Sequence, residues 1–319
     1  MPRTNKPRSG SLQYWPRKRA ERFLPSVNWK ALEISNKDAK LLGFIGYKVG
    51  MISCLVKDRT PDSLTKDKEI PLPCTVIELP PLKILSARFY RNGKVICDVL
   101  ADNLDKELKR ILKLPKVKHK KIEDVKDFDE VRIIAYSIVK QTGLKKTPDL
   151  VEIGLTGTLD EKLNFVKEKI GKEILGSEIL KPMQLIDIRG LTKGKGLVGP
   201  VKRFGIALKN HKSEKGVRRP GSLGPWHPHV VTYKIPLAGQ MGLFTRIHLN
   251  NKVITLGKIK DNNINPKSGW KHYGDIKTEY AIIRGSVPGC EKRQLLLTFP
   301  LRKTKIQDKK KYEFVRIIR

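Results

Sequence analysis

The sequence predicts a mainly β chain in which a small barrel is interrupted by an α/β block and carries two cation-rich segments of irregular backbone. Three observations lead there. Short β-branched and aromatic runs punctuated by Gly and Pro occupy residues 41–90 and return from Met183 onward, while helical spacing is confined to the stretch between them. That stretch, residues 102–180, is nearly neutral, with 17 basic and 15 acidic side chains. Residues 188–252, by contrast, hold 13 basic side chains and one acid, Glu214, and residues 1–40 hold 10 basic against three acidic.

The first 30 residues interleave cations with Pro, Tyr14, Trp15 and Trp29 and follow neither a period of 2 nor one of 3.6. Such a pattern cannot bury itself. It reads either as a disordered tail, assigned to 1–38, or as one that orders along nucleic acid, with Arg3, Arg8, Arg17, Lys18, Arg19 and Arg22 on phosphates and the aromatics Tyr14, Trp15 and Trp29 free to stack. "LLGFIGYKVGM" and "ISCLVKD" then read as β-strands broken by glycine bulges, and "CTVIELPPLKILSARFY" as two more around a Pro-Pro corner.

From Asp102 the texture changes. "DNLDKELKRILKL" places apolar residues at 104, 108, 111, 112 and 114, a helical spacing with Asp102 or Asn103 able to cap it. "EVRIIAYSIV" and "DLVEIGLTG" read as strands, and "TLDEKLNFVKEKIGKEI" as a second amphipathic helix opened by Thr158. Residues 101–180 are therefore expected to form an α/β insertion domain. With "MQLIDIRGL", "VITLGKI", "EYAIIRGSVPG" and "QLLLTFPLR" the β texture resumes, so 39–100 and 181–319 are expected to build one barrel from distant strands. Residues 208–245 would leave it as an internal extension.

A net charge of +34 is a self-repulsion that a polyanionic partner would relieve. No run approaches the roughly 18 apolar residues of a spanning helix, and the N-terminus lacks a signal peptide's apolar centre. The expectation is a cytoplasmic chain with no membrane partner. Cys54, Cys74, Cys97 and Cys290 lie far apart without a C-x-x-C pair and read as buried structural thiols.

"GKGLVG", residues 194–199, matches a dinucleotide fingerprint, but Pro200, Lys202 and Arg203 follow it without the apolar periodicity of the helix that fingerprint needs. The better reading is a glycine loop that lets backbone approach phosphates, flanked by Lys193, Lys195, Lys202 and Arg203. His227 and His229 flank Pro228 as an H-x-H pair, yet no carboxylate stands between residues 215 and 260 to complete a metal site. No G-x-S-x-G, H-E-x-x-H or Walker A motif occurs, and acids are nearly absent where glycines and histidines gather. The sequence thus points away from an enzyme, a cofactor, a bound metal and a small-molecule substrate.

Binding is left. Residues 205–245 show little that reads as packed helix or sheet, and loops of that length in compact domains are uncommon unless functional. Lys212, Lys215, Arg218 and Arg219 would neutralise RNA phosphates, and Trp226 would offer a face to a base or ribose, unless it tucks into the barrel instead.

Five ordered motifs carry a resemblance over essentially the whole length: "GFIGYKVGM" (43–51), "GLTKGKGLVGPVKRFG" (190–205), "RRPGSLGPWHPHV" (218–230), "AGQMG" (238–242) and "RGSVPG" (284–289). The chain resembles the universal large-subunit ribosomal protein three family. The insertion and the Trp226-His227-Pro228 run match its archaeal and eukaryotic branch. The resemblance implies a translation-protein-type β-barrel with an inserted α/β domain, and a tail and extension that penetrate ribosomal RNA. It implies a structural constituent of the large ribosomal subunit, with large-subunit ribosomal RNA and neighbouring large-subunit proteins as partners. It also implies a role in early subunit assembly, and an extension tip near the peptidyl transferase centre that supplies no catalytic group. It adds His211, His227, His229, Lys234, Gln240 and Arg246 to the expected RNA contacts. The competing readings are an RNA-modifying enzyme that docks substrate on a barrel, and a transient translation factor, which should carry a nucleotide-binding domain.

Overall fold

The computed structural model describes residues 10–35, 41–115 and 121–318. The first element is a short helix, α1 (Trp29–Ser35), whose entry is capped by the Asn28 side chain accepting from the Ala31 N–H at 3.4 Å. Four strands follow: β1 (Gly43–Asp58), β2 (Glu69–Leu79), β3 (Leu82–Arg91) and β4 (Lys94–Leu100). The two β1 runs expected from sequence form one strand, with a register shift against β2 between Lys48 and Gly50. The Pro80-Pro81 corner separates β2 from β3 as expected, because neither proline can donate to a ladder.

Next come β5 (Glu130–Ser137), β6 (Leu150–Gly154), α2 (Leu159–Lys169), β7 (Glu173–Ile174) and α3 (Gly176–Ile179). α2 starts where the capping box predicts: the Thr158 side chain accepts from the Glu161 N–H, and the Glu161 carboxylate accepts from the Thr158 N–H. The helix expected over 102–114 is reduced to a 3-10 turn at Lys106–Arg110. Of its apolar stripe only Leu108 is buried, Ile111 and Leu112 are exposed, and Pro115 follows, so no packing propagates a helix too short to hold itself.

The chain continues through β8 (Leu185–Leu191), β9 (Leu197–Val198), α4 (Pro200–Phe204), β10 (Gly239–Gln240), β11 (Thr245–Lys258), β12 (Glu279–Arg284), β13 (Gln294–Thr298), α5 (Lys305–Lys309) and β14 (Tyr312–Ile318). The fold is mainly β. A seven-stranded sheet runs β13-β8-β11-β12-β2-β1-β14, and β13 also pairs with β1 antiparallel, from Gly43 opposite Thr298 to Tyr47 opposite Gln294. A second sheet runs β4-β3-β5-β6, with β7 on β3.

That second sheet begins before residue 101, where the insertion was expected to start. β3 pairs with β4 on one edge and with β5 on the other, and neither β3 nor β4 joins the seven-stranded sheet. The β3–β4 pairing has a local cause: Asn92 and Gly93 take φ of 50° and 74°, the left-handed pair of a tight hairpin turn, which sends β4 back along β3.

Two compact units divide the chain. One comprises Met1–Phe23 and Leu191–Arg246, the other Leu24–Gly190 and Ile247–Arg319. The larger unit holds a continuous apolar core, with Phe44, Ile45, Tyr47, Ile77, Phe89, Ile133 and Leu296 among its fully buried side chains. Trp29 also belongs to this core. Expected as a stacking aromatic of the tail, it is 3% exposed, and a Cβ on Gly43 or Gly154 would stand 2.9 or 2.7 Å from its atoms. Two residues without side chains thus make the slot that takes the indole. Among the cysteines, Cys54 and Cys74 are buried as expected, whereas Cys97 and Cys290 are half-buried; none of the four is in a disulfide.

Candidate RNA-binding surface

The smaller unit contains 18 of the 66 Lys and Arg residues and two acids, Glu21 and Glu214. Its base is a narrow ribbon in which Gly239 pairs with Val198 and Gln240 with Leu197. The Lys195 N–H donates to the Met241 carbonyl, the Met241 N–H to that of Gly196 and the Thr192 N–H to that of Phe244, at 2.9, 2.9 and 3.0 Å. Gly242 is what lets the two segments approach. Its φ is 79°, and a Cβ there would lie 1.9 Å from the Lys193 carbonyl oxygen.

A short helix does follow the glycine loop, contrary to the sequence reading. α4 has Gly199 at its N-cap, Pro200 at its first position and Gly205 in the left-handed conformation at its end. At five residues it is too short to serve as a dinucleotide-binding helix.

The expected contact residues fall into two groups. The first is turned inward on the unit. Arg203 donates to the carbonyls of Gln240 and Leu237 at 3.1 and 2.9 Å, and burial pushes its guanidinium below the usual arginine range. Arg17 lies over the Phe204 ring at 4.5 Å and the Trp15 ring at 5.4 Å. Trp15 meets Tyr233 edge to face at 5.5 Å, and its buried Nε1–H finds no acceptor among the described residues. Arg246 covers Tyr14 at 4.3 Å, and Gln240 donates to the Met241 and Gly242 carbonyls. These five residues shape the unit.

The second group faces solvent. Lys18, Arg19, Arg22, Lys193, Lys195, Lys202, His211, Lys212, Lys215, Arg218, Arg219, Trp226, His227, His229 and Lys234 are all exposed. Lys18 has a carboxylate nearby, Glu21 at 3.6 Å, a pair too exposed to hold it. Arg3 and Arg8 lie outside the described residues. Between α4 and β10 the backbone forms neither helix nor strand, and its turn at 210–213 is held by Asn210, whose side chain accepts from the Lys212 N–H and whose carbonyl accepts from the Ser213 N–H.

Trp226 is 78% exposed, which overturns the alternative of an indole tucked into its own barrel. Its only ring neighbour among the described residues is His229, edge-on at 5.1 Å, and His229 in turn meets His227 at 4.7 Å. Most of the indole surface remains open. Leu223, Val230, Val231 and Tyr233 of the same excursion are exposed too. Sequence reasoning missed Tyr233 and Phe204 as the partners of Trp15 and Arg17. No local signal could have found them, since the pairs are joined only by the folding of the unit.

No three His, Cys, Asp or Glu side chains among the described residues converge to hold a metal ion. A cleft of about 830 Å³ in the larger unit is lined by Lys30, Glu33, Glu130, Glu161 and Lys162 without a histidine, and its cations pair with its carboxylates. That is an ion-pair network, not an acid–base site. No helix among the described residues is long and apolar enough to cross a membrane.

The family model for Ribosomal protein L3 matches residues 1–315. This chain belongs to that family. Large ribosomal subunit protein uL3 of Methanocaldococcus jannaschii is 38% identical over 313 residues, covering 93% of this chain and 92% of the relative. Its counterpart in Methanothrix harundinacea is 41% identical over 308 residues, with 92% and 91% covered, and that of Archaeoglobus fulgidus 39% over 316 residues, with 94% and 93% covered. All three are archaeal, in keeping with the branch that the Trp226-His227-Pro228 run indicated. The Ribosomal protein L3 family is a structural one, not a family of enzymes.

Proposed function

We propose that this chain is a structural constituent of the large ribosomal subunit and binds its ribosomal RNA mainly through the smaller unit. The observation that carries the reading is the open indole of Trp226 at the end of an excursion whose unit has 18 cations and two acids. Exposed lysines and arginines neutralise phosphates without reading sequence, and the bare indole takes a base or ribose face. The inward group of Arg17, Arg203 and Arg246 holds those contacts in register.

The ring of pairings β1-β13-β8-β11-β12-β2 is read as a barrel of the translation-protein type, serving as mount, with the β3–β7 sheet and α2 as the inserted domain. Support for early assembly, a tip near the peptidyl transferase centre, neighbouring large-subunit proteins as further partners and a cytoplasmic location complete the proposal.

The test is the salt dependence of binding between the full chain and large-subunit ribosomal RNA transcribed in vitro. Each neutralised phosphate contributes about 0.7–0.9 to the slope of log K against log salt, so ten contacts give a slope near −7 to −9. A flat plot would reject the proposal.

A further inference from the structure

Outside the smaller unit the chain still carries 48 cations against 30 acids, and only some of those cations are answered in place. Arg88 meets Asp98 at 2.7 Å, Arg132 meets Glu130 at 2.6 Å, and Lys169 meets Glu178 at 2.7 Å. One stretch departs from this. "LRKTKIQDKKK", residues 301–311, carries six cations and a single acid, Asp308, and among the described residues none of its cationic side chains reaches a carboxylate. Arg302, Lys303, Lys305, Lys309 and Lys311 are exposed.

The backbone of this stretch is nonetheless anchored at nearly every turn. Asp187 of β8 accepts from the Leu301 N–H at 3.2 Å. Asn250 of β11 donates to the Arg302 carbonyl at 3.0 Å and accepts from the Thr304 N–H at 3.3 Å. Lys252 is 3% exposed and donates to the carbonyls of Asp308, at 3.1 Å, and of Lys310. The Arg59 N–H closes the far end on the Lys311 carbonyl at 2.9 Å.

A buried ammonium fastened beneath a row of cations is a costly arrangement. Burial pushes the Lys252 pKa down, with Arg284, Lys310 and Lys311 adding to the effect and Asp308 opposing it. A solvated tail would need no such fixture. A rigid row of like charges is instead pre-organised for a polyanion, since binding relieves repulsion and orders little that is not already ordered.

We infer that residues 302–311, mounted on β8 and β11 of the larger unit, form a second RNA-binding face that contacts the phosphodiester backbone independently of sequence. It rests on the ribosomal reading above and adds a surface to it.

Two measurements test it. In the full chain, the combined Lys303→Gln, Lys305→Gln, Lys309→Gln variant should keep the parent's melting temperature and lower the salt slope for large-subunit RNA by roughly 2–3, three contacts at 0.7–0.9 each. An unchanged slope in a folded variant overturns the inference. Acylation of the parent chain should modify the same three lysines several-fold more slowly in the binary RNA complex than in free protein, a result that stands even if the variant misfolds. Equal reactivity overturns the inference, as does protection seen only in the complete subunit, which would assign the face to a neighbouring protein. An Arg218→Gln, Arg219→Gln control separates the failures. If it lowers the slope and the lysine variant does not, the second face falls and the ribosomal reading stands, whereas a parent chain with a flat plot removes both.

Discussion

Replacing Trp226 and Trp29 separately by alanine asks whether each indole has its partner inside the chain or outside it. Trp226 is 78% exposed, so about a fifth of a side chain of roughly 250 Å² is covered by protein. At 25 cal/mol per Å² that cover contributes about 1 kcal/mol to the free fold. Trp29 is 3% exposed and seated against Gly43 and Gly154, so its truncation leaves a large cavity and costs about 3–5 kcal/mol. RNA affinity should respond in the opposite order. Loss of the Trp226 stack weakens binding by about 1–3 kcal/mol, a factor of roughly 5–150, whereas Trp29→Ala leaves affinity near the parent's wherever the variant is still folded. Urea unfolding of the free full chain and filter binding to in vitro transcribed large-subunit RNA measure the two quantities. A Trp226→Ala variant that loses 3 kcal/mol of stability, or one that binds RNA like the parent, would refute the reasoning.

Gly242→Ala would drive a Cβ to 1.9 Å from the Lys193 carbonyl oxygen at a φ of 79°, so the ribbon at the base of the smaller unit should lose more than about 2 kcal/mol. Hydrogen exchange should then quicken at the Lys195 and Met241 amides and stay unchanged in β1 and β2; unchanged protection at Lys195 would show that the glycine is dispensable. Asp58 supplies a pH dependence. Burial alone would raise its pKa, but hydrogen bonds from Thr60, Thr65 and Ser63 outweigh burial and hold the carboxyl well below the ordinary aspartate range. A depressed folded-state pKa contributes stability that is present above the unfolded value of about 3.9 and lost as pH falls through the folded one. Between pH 5 and pH 3 the Asp58→Asn variant should therefore lose less stability than the parent in urea unfolding, and parallel losses would exclude Asp58 as a source of the acid sensitivity.

The strands were legible because β-branched runs bounded by Gly and Pro leave few alternatives, and α2 because Thr158 and Glu161 stand three apart ahead of an apolar stripe. The helix expected over 102–114 failed on packing: periodicity marks a face able to be buried, and here only Leu108 is fully buried, with Leu104 and Leu114 packed at its side and Ile111 and Leu112 left exposed. Trp29 was misassigned because charge and proline dominate the preceding residues. The local signal was present all the same, with Asn28 as cap and Trp29 and Leu32 three apart on one face of α1. Asn92-Gly93 likewise announced the β3–β4 hairpin, though not the β3–β5 pairing that sets it in the second sheet. What no local pattern could disclose is which cations are spent inside the protein, since Arg17 meets Phe204 from the other of the unit's two segments.

That division changes the account of how the cationic segments get their shape. The sequence alone suggested that tail and extension both take form from an external polyphosphate. In the structure the tail residues 14–20 are engaged with the extension's base: Trp15 on Tyr233, Arg17 on Phe204, Arg246 on Tyr14, and the Ala20 N–H on the Leu243 carbonyl at 3.0 Å. Each guanidinium–aromatic contact contributes about 0.5–2 kcal/mol and removes one cation from the set available to RNA. The stretch 221–232, by contrast, is exposed throughout and holds the open indole. The base is thus shaped by its own chain, whereas the tip, on the function proposed above, takes its shape from RNA. Because the base is ordered before RNA arrives, the conformational entropy lost on binding is confined to the tip, so the same phosphate contacts bind more tightly than they would from a tail and extension that were separate and unformed.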